Sequence, residues 1–124
     1  MSKKQFISGY IECAFWADGN DEQLGANEGP HGSCLEAMEK DAGAFFDANG
    51  DTLLEANVYY NEAGDDIGRN DEHLGHDLWL SRNRHGAGFW DRGLGDVGDK
   101  LDKAAKAVGE RYLYVGDDGL IYQS

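Results

Sequence analysis

The segment LGDVGDKLDKAAKAVG, residues 94–109, most narrows what this chain can fold into. Leu94, Val97, Leu101, Ala104, Ala105 and Val108 recur at spacings of three and four, the period of an α-helix, and fall on one face. Lys100, Lys103 and Lys106 lie off that face, and Gly109 supplies a stop. A helix with one apolar stripe has to bury it against a second layer. A chain of 124 residues has room for one such core, so a single domain over 1–124 is expected. Its 40% hydrophobic and 11% aromatic residues are ordinary for a folded domain and argue against disorder.

The neighbouring segments suggest what that second layer is. RYLYV-GDDG-LIYQ, residues 111–123, holds two short β-prone runs. Asp117, Asp118 and Gly119 between them suit a type I turn followed by a residue with positive φ, so a hairpin is predicted. GHDLWLSRNRHGAGFWDRGLG, residues 75–95, reads the same way. DLWLSR and AGFWDR are short apolar-aromatic runs and NRHG supplies turn residues, predicting another hairpin over 75–92.

Upstream, SCLE opens a clear helix in which Ser33 caps the first turn and Glu36 reaches back. Leu35, Met38, Ala42, Phe45 and Phe46 form its stripe. Asn49-Gly50 stops or kinks it, and Asp51 is placed to cap a short helix running to Tyr60. In QFISGYIECAFW, Phe6, Ile7, Tyr10, Cys13 and Ala14 fit a helical stripe that Gly9 weakens, and the length favours helix over strand. Residues 17–32 and 61–74 are expected to be loops. The predicted fold is α+β: N-terminal helices plus two β-hairpins forming a small antiparallel sheet, with the helix at about 94–108 packed on it.

Charge is unevenly divided. Residues 1–72 hold sixteen acids and four bases, a net of −12, whereas residues 73–124 hold eight acids and seven bases, a net of −1. An acidic surface repels nucleic acid and anionic membrane and favours a basic partner, although solubility alone is the plainer account. The basic start MSKKQFISGY has no apolar run behind it, so no signal peptide is expected, and no segment approaches the ~20 apolar residues of a membrane span. Cys13 and Cys34 allow one disulfide at most and are expected to be buried thiols in a cytoplasmic protein.

Several chemistries can be weighed on the residues themselves. His73, His76, Asp77, His85 and Asp91 are possible metal ligands but make no metal-binding spacing, and no metal is expected. A pair of His76 or His85 with Asp77 or Asp91 is suited to acid–base work, yet Ser81 lacks a strained elbow and Cys34 has no evident partner. DANGDTLLE fails as a calcium loop, because its sixth position is Thr52 and its twelfth Val58. HGAG is too short a fragment to hold phosphate. Packing is the plainer account of 75–95: Gly86 and Gly88 leave room for Trp79, Phe89 and Trp90, while Arg82 and Arg92 bridge to Asp77 and Asp91. No catalytic residue and no cofactor are expected, and the chain is not expected to be an enzyme.

Residues 75–119, through GHDLWLSRNRHGAGFWDRGLG, KLDKAAKAVGE and LYVGDDG, resemble a family of small bacteriophage-encoded proteins of unsettled function. YIECAFW and FFDANG match it more loosely, and Arg84 stands where the family pattern has a small turn residue such as Gly. The resemblance implies a phage origin and the host bacterial cytoplasm as workplace; it assigns no catalytic residue. On that footing the expected function is an anti-defence inhibitor, of the anti-CRISPR or anti-restriction kind. It would bind a basic nucleic-acid-binding host complex as an acidic mimic of DNA, with no direct contact to nucleic acid or membrane. The candidate partner-binding residues are Asp65, Asp66, Asp71, Glu72, Asp18, Asp21, Glu22, Glu39 and Asp47. The alternative is a small phage enzyme or ligand-binding protein using His76, Trp79, Arg82, His85, Trp90 and Arg92 in the 75–92 segment, or a virion accessory protein.

Overall fold

The structure is a computed structural model and describes all 124 residues. The chain runs α1 (Lys3–Asp18), α2 (Asp21–Leu24), α3 (Gly32–Ala48), α4 (Gly50–Asn57), α5 (Asp71–Arg82), a 3-10 turn (Phe89–Asp91), α6 (Gly95–Ala107), β1 (Leu113–Val115) and β2 (Ile121–Gln123). The fold is α+β, with six helices and one two-stranded antiparallel sheet.

The centre of the molecule is the crossing of α1 on α5, and it depends on two glycines. A Cβ on Gly9 would collide with the Glu72 carbonyl group. A Cβ on Gly75 would collide with the Phe6 carbonyl oxygen and lie 2.7 Å from the Tyr10 nitrogen. The two backbones therefore meet with no side chain between them. Gly9, which weakens the helical pattern in the sequence, is what allows the helix to pack.

Around this crossing lies one apolar cluster that includes Phe6, Tyr10, Met38, Leu53, Trp79 and Leu101, all fully buried. The Phe45 ring stacks between Phe6 at 6.3 Å and Phe89 at 6.0 Å, joining α1, α3 and the 3-10 turn. Tyr10 meets Trp79 edge-on at 5.5 Å across the α1–α5 crossing.

The terminal hairpin forms as expected, pairing Tyr114 with Tyr122 in the register Leu113↔Gln123. Gly119 has φ +80°, the left-handed conformation the turn needs. The segment before α3 joins the free edge of β2, where Ile121 donates to the Gly29 carbonyl at 2.8 Å and accepts from His31 N–H at 2.9 Å. The sheet leans on α3 and α2.

Three expectations are corrected. Residues 75–92 are not a hairpin: they are most of α5, a loop and the 3-10 turn. α6 buries Leu101 and Ala105, with Leu94 buried at its N-cap, as the stripe predicts, but against α5, α4 and the 3-10 turn rather than the sheet, and Val108 is half exposed. Ser33 is not the cap of α3: His31 is, its Nδ1 accepting the Ser33 backbone N–H at 3.0 Å. Smaller differences are α2 inside the predicted 17–32 loop and the early end of the acidic loop at Asn70.

Gly75→Ala should destabilise the protein by about 3 kcal/mol or more, the upper end for forced overpacking, because neither backbone can withdraw. Gly50→Ala is the control, since a Cβ there meets nothing within 4 Å. Urea denaturation should show Gly50→Ala neutral or slightly stabilising, as expected for Gly to Ala in an unstrained helix. Equal effects of the two changes would rule out the close crossing.

Candidate functional site

α5 carries most of the polar residues singled out above, and it sends them in different directions. Asn70 caps it, its Oδ1 accepting the His73 N–H at 2.8 Å, and Asp71 and Glu72 lie in the first turn where the helix dipole favours acids. From Leu74 to Arg82 the helix is buried on several sides, and Asp77, Ser81 and Arg82 are among its buried residues. Each is satisfied by partners outside the helix.

Asp77 is fully buried. Arg69 grips it with two hydrogen bonds, Nε to Oδ2 at 3.1 Å and Nη2 to Oδ1 at 3.0 Å, and Arg92 Nε adds a third to Oδ1 at 3.0 Å. Arg92 also lies 3.6 Å from Asp91, whose Oδ1 accepts the Gly88 N–H. Arg82 does not reach Asp77 or Asp91. It donates to the Tyr10 hydroxyl at 2.9 Å, the Gly109 carbonyl at 2.8 Å and Asp41 at 3.3 Å. Asp18 Oδ2 accepts from the Trp79 indole at 2.7 Å and lies 2.7 Å from His85 Nε2.

The six residues of the alternative ligand site are therefore not one site. Trp79 is core, Arg82 is a buried tie between α5, α3 and the end of α6, and His85 pins the 83–88 loop to α1 through Asp18. Trp90 is half exposed in a separate shallow cleft. Only His76 and Arg92 share a cavity, of about 480 Å³, which they line with Glu12, Cys13, Trp16 and Arg69. It is larger than the other four principal clefts, which measure about 200 to 310 Å³. Arg69, Trp16, Cys13 and Glu12 were missed as site residues. Arg69 left a signal, being the one base in the acidic 61–74 segment.

The candidate partner-binding acids divide in two. Asp18 is taken by Trp79 and His85. Asp71 is half-buried and accepts the Ser2 backbone N–H at 2.7 Å, and Asp47 pairs with Lys3 at 2.9 Å. Asp21, Glu22, Glu39, Asp65, Asp66 and Glu72 are exposed with no cation within 4.0 Å, as are Glu28, Glu36, Asp51, Glu55 and Glu62. On α4 the exposed residues Asp51, Leu54 and Glu55, with Val58 at its C-cap, fall at helical spacings on one face. Tyr60 follows, 63% exposed, and its backbone bridges to Asp66. An apolar seam of Leu54, Val58 and Tyr60 is thus flanked by unpaired carboxylates.

Both cysteines are free and buried. Burial, with Asp77 and Asp18 nearby, pushes the Cys13 thiol from 9.0 up to about 12. Burial likewise raises the Tyr10 hydroxyl from 10.0 to about 12, against the lowering effect of Arg82. No group of three or more His, Cys, Asp or Glu side chains is arranged to hold a metal ion. No helix is long and apolar enough to cross a membrane. No protein-family profile, curated protein or solved structure matches the chain significantly.

Asp77→Asn should destabilise the protein by about 3–5 kcal/mol, the usual cost of removing one partner from a buried charge cluster, because two guanidiniums lose their counter-charge. Denaturation at neutral pH measures it, and a change below ~1 kcal/mol would show that solvent supports both arginines without Asp77. The raised Cys13 and Tyr10 values set an alkaline limit. Unfolding releases both groups to ionise, so their contribution is intact below about pH 9 and is lost as pH rises towards 12. Stability measured across that window should fall steadily, and a flat profile would contradict the burial of both groups.

Proposed function

We propose that this protein is a phage-encoded inhibitor that binds a basic, nucleic-acid-binding complex of host defence and presents its acidic surface in place of DNA. One observation carries the reading. Eleven carboxylates between residues 18 and 72 are exposed and unpaired, while the only unpaired bases in residues 1–72 are Lys4 and Lys40. Intramolecular ion pairing therefore neutralises little of the −12 carried by that half. A groove lined with Lys and Arg to hold phosphates accepts a rigid carboxylate surface by the same electrostatics, with no base readout.

The seam of Leu54, Val58 and Tyr60 adds what charge alone lacks. Protein interfaces combine an apolar centre with a polar rim, and α4 with the 60–66 loop offers both. The resemblance of residues 75–119 to small phage proteins supports a host bacterial cytoplasm as the setting. The complex to be blocked is an anti-CRISPR or anti-restriction target: a nuclease or CRISPR effector.

The test is protection. Cells carrying an active restriction or CRISPR system are challenged with a targeted phage, with and without this protein, and plating efficiency is counted. The wild type should restore plating. Glu55→Gln, Glu62→Gln, Asp65→Asn and Asp66→Asn together remove four exposed charges while keeping shape, and each should change stability by less than about 0.5 kcal/mol. That variant should protect at least about tenfold less, the loss that 1.4 kcal/mol of binding represents. Full protection by the neutralised variant, or none by the wild type against any system, would refute the reading.

A further inference from the structure

We propose that the cavity lined by Arg69, Arg92, His76 and Trp16 binds a small organic monoanion, a carboxylate carried on a flat apolar body. Two arginines on this cavity carry donors that the protein does not use. Arg69 spends Nε and Nη2 on Asp77, and Arg92 spends only Nε. Arg69 Nη1 and both terminal nitrogens of Arg92 donate to no protein group, although the two side chains are only 21% and 27% exposed. His76 Nε2 is buried with no hydrogen-bond partner, and Glu12 lies 3.6 Å from it, too far for a strong bond. Of these atoms only the His76 nitrogen is buried outright; the arginine nitrogens open onto the cavity, where one acceptor from outside can engage them together.

The geometry of the free guanidinium ends decides the class of acceptor. The two guanidiniums face two carboxylates, the buried Asp77 and, 3.6 Å from Arg92, Asp91, so their charges are matched and no surplus is left for a dianion. Asp91 approaches Arg92 on its Nε side at 3.6 Å and leaves the terminal nitrogens unengaged. Glu12 is 66% exposed on its side chain and lies by His76 rather than by either arginine. A cluster already matched in charge disfavours a dianionic phosphate, and the forked, unengaged guanidinium end matches a carboxylate's two oxygens.

The rest of the lining is apolar. Leu80, Ala87 and Cys13 face the cavity, and Trp16 lines it while 74% exposed. An indole left in water offers a face for stacking a flat ring. The volume of about 480 Å³ lies within the range of small-molecule sites.

The probes are benzoate and indole-3-carboxylate, titrated into isotope-labelled protein and followed by amide NMR shifts. Benzamide, acetate and inorganic phosphate are the controls. The ring acids should bind saturably near about 1 mM, a reasonable affinity for so few atoms, with shifts confined to α1, α5 and residues 69 and 87–92. Arg92→Lys keeps the charge but loses the fork and should weaken binding at least about tenfold. Trp16→Ala, at an exposed position, should weaken the ring acids and keeps the test intact if Arg92→Lys unfolds. Trp90→Ala, outside the cavity, should leave binding unchanged. Lack of saturation up to about 10 mM, where a 1 mM ligand would fill most sites, would overturn the proposal. So would benzamide or phosphate binding as tightly as benzoate, or ring-acid binding indifferent to Trp16→Ala.

Discussion

The close approach of α1 to α5 is the constraint on which the rest of the structure depends. Gly9 and Gly75 let two helix backbones touch, bringing Tyr10 onto Trp79 and Phe6 into the core beside Phe45. The same contact brings Asp18 within reach of Trp79 and His85, and closes the wall of the cavity between Cys13 on α1 and His76 on α5. A methyl group at the crossing would separate these pairs together. Dispersion and apolar burial at the crossing then set the geometry that the polar groups exploit.

A second layer of organisation comes from polar groups held inside. Asp77 with Arg69 and Arg92, and Arg82 with Tyr10, Asp41 and the carbonyls ending α6, tie segments far apart in sequence. In such ties desolvation offsets much of the Coulomb gain, while a missing partner is costly. They also sort the charges. Acids drawn into the network, Asp18, Asp41, Asp71 and Asp77, are removed from any docking surface. The carboxylates on α2, on the outer side of α3 and from α4 to the 60–66 loop remain for a partner.

The sequence was legible where one side of an element is buried and the other wet. α6 and α3 show their apolar stripes because water on the opposite face enforces polar residues there, and the terminal hairpin shows its turn because only Gly119 suits that φ. α5 was illegible for the opposite reason. With Leu74, Gly75, Asp77, Leu78, Trp79, Ser81 and Arg82 all buried, its apolar and polar residues follow internal partners rather than one amphipathic face. The alternation in DLWLSR then imitates a strand. Arg69 was visible as a lone base among acids, but its role depends on Asp77, whose burial follows only from α5 being a helix and from the face that helix turns inward.

By itself the sequence determined the α+β class, the terminal hairpin, the existence and apolar stripes of α3 and α6, and the concentration of negative charge in residues 1–72. These follow from local periodicity, turn chemistry and counting, which need no knowledge of what lies opposite. Tertiary structure alone decided that 71–82 is a helix, that α6 packs on helices rather than on the sheet, which acids are internal, and that Arg69, Arg92, His76 and Trp16 share a cavity. Each of these depends on a contact between residues distant in the chain, and the free energy of a buried charge or a backbone crossing is settled by the partner it meets, not by its neighbours in sequence.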